Sequence, residues 1–477
     1  MPTDVTSFNR FDELRNRINE EIKDLLEAPP RPGEPRAFKL VRDFYAKCMD
    51  ERAIEDDKSA SRIAEMKSIC TWPMIQGTPD DSQLNVSWRQ FFAIAVPSDV
   101  KSYFDANPEV VIVEVDFLKQ LSALVKTQTA KTVANYLMLR YSFEFEYALG
   151  KRYKDVFHSF LQALTGNESR SSRWKYCLNV VKEDMLHATS AIYARKHLNK
   201  KIVDDVQLMA AEMRAAFEEM LAKNDWMDEK MRNSAINKAR NMIALLGQEA
   251  WEADDKKLDE NYWELTISSS DPLVVMASKV KQWRSDVEYR ELLEATDRMS
   301  FDEASYVANA QYIWSQNVIV LLAAIRRPPF YHPDFPTALN FGGLGFVVGH
   351  EITHGFDDHG AQYDGSGSLH QWWEPDTYQE FKKRAQCIIH QYGNITVPEA
   401  RMQINGINTQ GENIAYNGGL AIAYQALQSH LKRSGGENAV YSGLNYPPKQ
   451  LFFLGFAKAL NCPVGSPMNP AHRCKVW

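Results

Sequence analysis

The stretch Val347-Val348-Gly349-His350-Glu351-Ile352-Thr353-His354-Gly355-Phe356-Asp357-Asp358 constrains this chain more than any other. Inside it is His-Glu-x-x-His. On a helix, residues four apart share a face, so His350 and His354 can present two imidazoles to one zinc ion. Glu351 lies one step round the same turn, where it can reach a water in the metal's open position and take its proton. Phe346, Val347, Val348, Ile352 and Phe356 make the flanks apolar, which predicts a buried helix. A third ligand candidate, Glu412, follows His354 by 58 positions (412 − 354), within Gly411-Glu412-Asn413-Ile414-Ala415-Tyr416-Asn417-Gly418-Gly419. On a second helix its carboxylate would complete a His, His, Glu set with the fourth position left for water. One zinc per chain is expected.

Composition narrows the partners. The net charge is −7 and no basic stripe is present, which excludes a nucleic-acid partner. No apolar run is long enough to span a bilayer. The segment Met1-Pro2-Thr3-Asp4-Val5 is polar and does not read as a signal peptide. Three sequons, at Asn85, Asn167 and Asn394, point the other way, toward the secretory route. The six cysteines (48, 70, 177, 387, 462 and 474) show no CxxC spacing, which disfavours a cysteine zinc site. Buried thiols and sparse disulfides both stay open.

Along the chain, Phe11, Leu14, Ile18, Ile22 and Leu25 form a helical stripe that Pro29-Pro30-Arg31-Pro32-Gly33 breaks. A second helix is expected from about residue 37 to 55, with Phe38, Val41, Tyr45 and Cys48 on one side. Residues 73–110 read as mixed. From residue 117 to 246 the pattern is helical almost throughout, including residues 203–221 and 229–246, with no fixed repeat. The composition shift at Ile267-Ser268-Ser269-Ser270-Asp271-Pro272 suggests a boundary. The expected domains are 1–268, largely helical, and 269–477, which carries the zinc motif. Strands are expected within residues 307–322 and a helix near 375–392. Asp364-Gly365-Ser366-Gly367-Ser368 lacks the closing glutamate of a calcium loop and reads as a turn.

Further motifs are Asn309-Ala310-x-Tyr312, Pro328-Pro329-Phe330, Ala338-Leu339-Asn340-Phe341-Gly342-Gly343, Gln450-Leu451-Phe452-Phe453-Leu454-Gly455-Phe456-Ala457 and Cys474-Lys475-Val476-Trp477. With the two metal segments they resemble the neprilysin-like zinc metallopeptidases over nearly the whole chain. The resemblance implies a mainly α, two-lobed ectodomain, in which a thermolysin-like α+β zinc lobe and a helical lobe enclose a cavity. It implies a zinc metalloendopeptidase that cleaves oligopeptides on the amino side of hydrophobic residues, at the cell surface or outside the cell. Residue by residue, it implies His350, His354 and Glu412 as zinc ligands, Glu351 as general base and Asp357 as the carboxylate that orients His354. Asn309 and Ala310 would hold the substrate backbone, and Ile325, Phe330, Phe346 and Val347 would wall a hydrophobic pocket. Cys48 would pair with Cys177 and Cys387 with Cys474, leaving Cys70 and Cys462 without assigned partners.

The chain departs from the family pattern in three places. Tyr416 stands where the family carries an aspartate beside the first zinc histidine. Phe456-Ala457-Lys458-Ala459 runs straight into Leu460-Asn461-Cys462-Pro463, where the family carries a tract with Asp-x-His-Ser-Pro and an arginine. None of the 11 histidines has that context. The family's membrane anchor and first cysteines are missing from this sequence, and residues 89–110 look shortened. The expectation is an abbreviated form with impaired turnover. A zinc-loaded peptide-binding protein without turnover, and an incomplete splice form or gene model, are the alternatives.

Overall fold

Helices form where apolar residues recur at three- and four-residue spacing, and their apolar stripes are what the fold buries. The computed structural model describes residues 10–50, 88–106, 108, 115–166, 170, 172–295, 297–301, 303–398, 401–436 and 446–460. It divides into two units, each discontinuous in sequence. One takes the described residues of Met1–Leu25, Ser190–Asp254 and Arg298–Trp477, the other those of Leu26–Thr189 and Asp255–Asp297. Residue 268, where the composition shifts, falls inside the second of these.

The second unit is helical. Its helix Arg36–Met49 buries Phe38, Val41, Tyr45 and Cys48, the stripe read from the sequence. The helix ends at Met49, earlier than expected, and residues 51–87 lie outside the described residues. A disulfide joins Cys48 to Cys177 on the helix Arg173–Asp184. The Arg36 guanidinium donates to the carbonyls of Tyr262 (2.8 Å) and Leu265 (2.6 Å), tying the early helix to a late segment of the same unit. Within residues 73–110 the described part contains two helices, Trp88–Ala95 and Lys101–Asp105, with a turn between them.

The first unit holds the metal motif. Its helices α1 (Lys200–Ala222) and α2 (Glu229–Asn241) lead into strand β1 (Ile243–Gly247). The sequence reading extended helix through 246. A short run such as Ile243-Ala244-Leu245-Leu246 has no period that separates strand from buried helix, and a pairing partner decides it. That partner is β3 (Val318–Leu322), which runs parallel to β1 and antiparallel to β2 (Ala310–Ile313), so β3 is central and β2 is an edge. The strands fall inside the expected 307–322 window. Asn317, in the turn between them, has φ of 53°. Alternate residues Val318, Val320 and Leu322 join Leu245 and Phe301 in one cluster, as the two-residue period of a strand requires.

Next come α3 (Phe346–His354), α4 (Pro375–Gly393), α5 (Gln410–Ser434) and α6 (Pro448–Ala459). Every residue of α3 from Phe346 to Thr353 is buried. Asp364 accepts from the backbone N–H groups of Ser366 (2.8 Å) and Ser368 (3.0 Å), closing the expected turn. Asn394 is exposed, whereas Asn85 and Asn167 lie outside the described residues. So do Cys70, Cys462 and Cys474, the last being the expected partner of the exposed Cys387.

Candidate metal centre

Helix α3 carries His350 and His354 one turn apart, with their Nε2 atoms 2.9 Å from each other. Helix α5 crosses α3 and delivers Glu412 from its first turn. Its carboxylate oxygens lie 3.4 Å from His350 Nε2 and 3.7 Å from His354 Nε2. The close crossing depends on two glycines. A Cβ on Gly349 would stand 2.7 Å from the Gly419 carbonyl oxygen, so neither helix could approach this far with a larger residue there.

The donor set fits zinc. Ligands about 2.0–2.1 Å from a tetrahedral zinc stand roughly 3.4 Å apart. The three observed separations bracket that value, and all three ligand atoms fall within 4.8 Å of one another. No other group of three or more histidine, cysteine or carboxylate residues close enough to hold a metal occurs among the described residues.

Charge at the site follows from burial and from the carboxylates around it. His354 Nδ1 donates to Asp357 Oδ2 (2.7 Å), which in the neutral imidazole places the lone pair on Nε2. Asp357 Oδ1 accepts from the N–H groups of His359 (2.9 Å) and Gly360 (2.7 Å), so the carboxylate is held from both ends. Burial opposes charge on His354, but the Asp357 hydrogen bond and the carboxylates of Glu351, Asp357 and Glu412 raise its pKa to about 9. Burial pushes the Glu351 carboxyl above its ordinary range, partly offset by the two histidines, and its side chain is 2% exposed. For Glu412 burial acts upward, yet the histidines prevail and hold it low. Its side chain is 51% exposed, so the cluster opens on that side.

The remaining candidate residues lie in the same unit as this cluster. Tyr416, one turn after Glu412, packs edge-on against His350, with ring centroids 5.0 Å apart, and against Phe346 at 5.5 Å. Asn309 precedes the edge strand, and its Oδ1 is buried without a hydrogen-bond partner among the described residues. Ala310 is buried within that strand opposite Leu321. Ile325, Phe330, Phe346 and Val347 are all buried, at 2% exposure or less. Phe346 also meets Phe456 of α6, at 4.8 Å.

Two residues near the site carry no motif and were not read from the sequence. Lys238 on α2 is 1% exposed and donates to the Gly360 and Tyr363 carbonyls at 2.7 and 2.5 Å. Asn317 donates to the carbonyls of Lys238 (3.1 Å) and Gly365 (2.9 Å) and accepts from the Tyr312 hydroxyl (2.7 Å). Lys238 sits in a helix where a lysine ordinarily faces water, so its sequence gives no sign of burial.

The fold is the mainly helical, neprilysin-like architecture of zinc peptidases of known structure. The chain belongs to peptidase family M13, whose two models match residues 309–461 and residues 1–84 and 70–248. It is 34% identical over 432 residues to Neprilysin-1 of Caenorhabditis elegans, covering 82% of this chain and 57% of that protein. To endothelin-converting enzyme 1 of Rattus norvegicus it is 31% identical over 436 residues, again covering 82% of this chain, and 55% of that protein. The chain thus spans little more than half the length of these relatives. Among solved structures, the zinc metalloprotease Zmp1 of Mycobacterium tuberculosis, determined with an inhibitor, shares the fold. Its TM-score is 0.79 at 21% identity, covering 98% of this chain and 89% of that one. PepO of Lactobacillus rhamnosis follows with a TM-score of 0.71 at 19% identity, covering 96% and 87%.

Proposed function

We propose that this chain is a zinc-dependent metalloendopeptidase of oligopeptides, cleaving on the amino side of hydrophobic residues, and that turnover in this form is slow. The convergence of His350, His354 and Glu412 on one point carries the reading. These three side chains would hold the metal. Zinc, when bound, supplies the Lewis acid that polarises the scissile carbonyl and makes water acidic near pH 7.

The protein's own groups do the rest. Glu351 takes a proton from the attacking water and passes it to the leaving nitrogen, as the new C–O bond forms and the C–N bond breaks. Its burial favours this role, since it keeps the carboxylate basic. Asp357 fixes the His354 tautomer. The buried Asn309 Oδ1, beside an edge strand, is an acceptor that a substrate N–H would satisfy. Ala310 lies in the same strand, and Ile325, Phe330, Phe346 and Val347 supply the apolar wall for the substrate side chain.

Slow turnover is inferred from two sequence features, Tyr416 and the join at Ala459-Leu460. The family's histidine and arginine donors have no counterpart at that join. Losing one such donor typically costs about 10²–10³ in rate. A cell-surface or extracellular setting suits the Cys48–Cys177 disulfide, and no helix among the described residues is long and apolar enough to cross a membrane.

The test is a fluorogenic hydrophobic peptide with Glu351→Gln as the blank, alongside metal analysis. About one zinc per chain, lost in His354→Ala, is expected, with weak cleavage that the Glu351 substitution removes. Zinc bound with peptide affinity but no cleavage would favour the peptide-binding alternative. Less than a tenth of an equivalent of zinc would sink the ligand assignment.

A further inference from the structure

The buried amine of Lys238 has no part in the chemistry described so far, yet it is built into the loop that leaves the metal helix. It lies against the rings of Phe356 and Trp372, at 5.2 and 5.3 Å from their centroids. Its two carbonyl partners belong to Gly360 and Tyr363, both in that loop. Gly360 is bound on both sides of its Cα. Its carbonyl accepts from Lys238, and its N–H donates to Asp357 Oδ1 at 2.7 Å. The other oxygen of Asp357 accepts from His354 Nδ1. A Cβ on Gly360 would stand 1.9 Å from the His354 carbonyl oxygen, so this residue packs directly on the last turn of the metal helix. Asn317 clamps the Lys238 backbone and Gly365 together, fastening the same loop at its far end.

Hydrogen bonds on either side of the Gly360 Cα therefore link Lys238 Nζ to Asp357, and Asp357 to His354. Burying an amine is costly unless its bonds are satisfied. An apolar side chain would suit the aromatic surroundings of this one but would leave two carbonyls without a donor. We propose that Lys238 is a positioning residue for the metal centre, which through Gly360 and Asp357 holds the His354 imidazole in the tautomer and orientation that bind zinc. This rests on the reading of His350, His354 and Glu412 as zinc ligands.

The experiment measures zinc affinity by chelator competition in the full chain, together with the visible spectrum of the cobalt-substituted protein. Variants are Lys238→Met, Lys238→Gln and, as a destabilised control in the other unit, Val280→Ala, a fully buried helix position. Lys238→Met should weaken zinc by about 10–100-fold and shift the cobalt spectrum, as loss of an outer hydrogen-bond partner does. Val280→Ala should leave zinc affinity within about twofold while lowering the melting temperature, because it touches nothing in this series. Where Lys238→Met does not fold, Lys238→Gln decides. Its shorter amide reaches at most one of the two carbonyls, and at least about a fivefold loss is expected. Folded Lys238 variants with wild-type zinc affinity and an unchanged cobalt spectrum would overturn the positioning role. So would an equal loss of affinity in Val280→Ala. Wild-type protein that binds no zinc would overturn the ligand assignment itself, and the two failures are thereby told apart.

Discussion

Gly349 and Gly419 bring two helix backbones into contact. A side chain at 419 would place its Cβ 2.6 Å from His350 N and 2.8 Å from His350 Cα. No rotamer change relieves a clash with backbone. The contact sets the height of α5 against α3, and with it the distance from Glu412 to the two histidines.

Gly419→Ala should therefore destabilise the protein by about 1–3 kcal/mol, the usual cost of overpacking. In an exposed helix the same change stabilises by about 1 kcal/mol. The sign alone separates the two cases in a urea titration. Zinc affinity should fall with it, because Glu412 moves away with α5. Unchanged stability and zinc affinity would mean the helices do not cross this closely.

Tyr416 packs on the ring of His350 without supplying a charge. Tyr416→Asp should tighten zinc, since an anionic partner makes an imidazole a better ligand, by up to about 10–100-fold. Chelator competition reads the change. Weaker binding would show that the ring contact with His350, at 5.0 Å, matters more than charge at this position.

Turnover of a hydrophobic reporter peptide should fall at least about 10³-fold below that of a full-length family member, from the missing donor and the altered metal environment. The two losses act on one transition state and need not add. Robust cleavage abolished by Glu351→Gln would show that another residue supplies the donor.

Burial pulls the Lys238 pKa down to about 7, against the pull of the Asp357 and Asp364 carboxylates, while the unfolded chain keeps a lysine value of about 10.4. Between these two values the unfolded state holds a proton that the folded state has released. Stability should therefore rise with pH from about 7 to about 10.4, by at most roughly 1.4 kcal/mol per pH unit, and level off on either side. Comparing the pH dependence of unfolding with that of Lys238→Met isolates the contribution. Parallel curves would mean that folding does not lower the Lys238 pKa.

Arg326 poses the opposite case. It is 2% exposed, and its Nε, Nη1 and Nη2 atoms have no hydrogen-bond partner among the described residues. Burial lowers its pKa to about 10. Arg326→Met should raise stability by about 1–4 kcal/mol, since an apolar side chain of similar length removes an uncompensated charge. A lower denaturation midpoint would reveal that the guanidinium has a partner.

His-Glu-x-x-His specifies its own geometry, because a helix places residues four apart on one face whatever surrounds it. The apolar flanks of α3 likewise announced its burial, and the pattern over residues 307–322 announced strands. The choice between helix and strand at Ile243–Gly247 was not legible, because it depends on a partner 75 residues later, at Val318 (318 − 243). The sequence alone singled out His350, His354 and Glu412 as candidate metal-binding groups. Tertiary structure alone decided that Glu412 meets the histidines across a glycine crossing, and that Lys238 turns inward to hold the loop behind His354. Both are long-range contacts between elements that carry no local signal of each other. Only packing, where burial of an amine or close approach of two backbones must be satisfied as a whole, selects them.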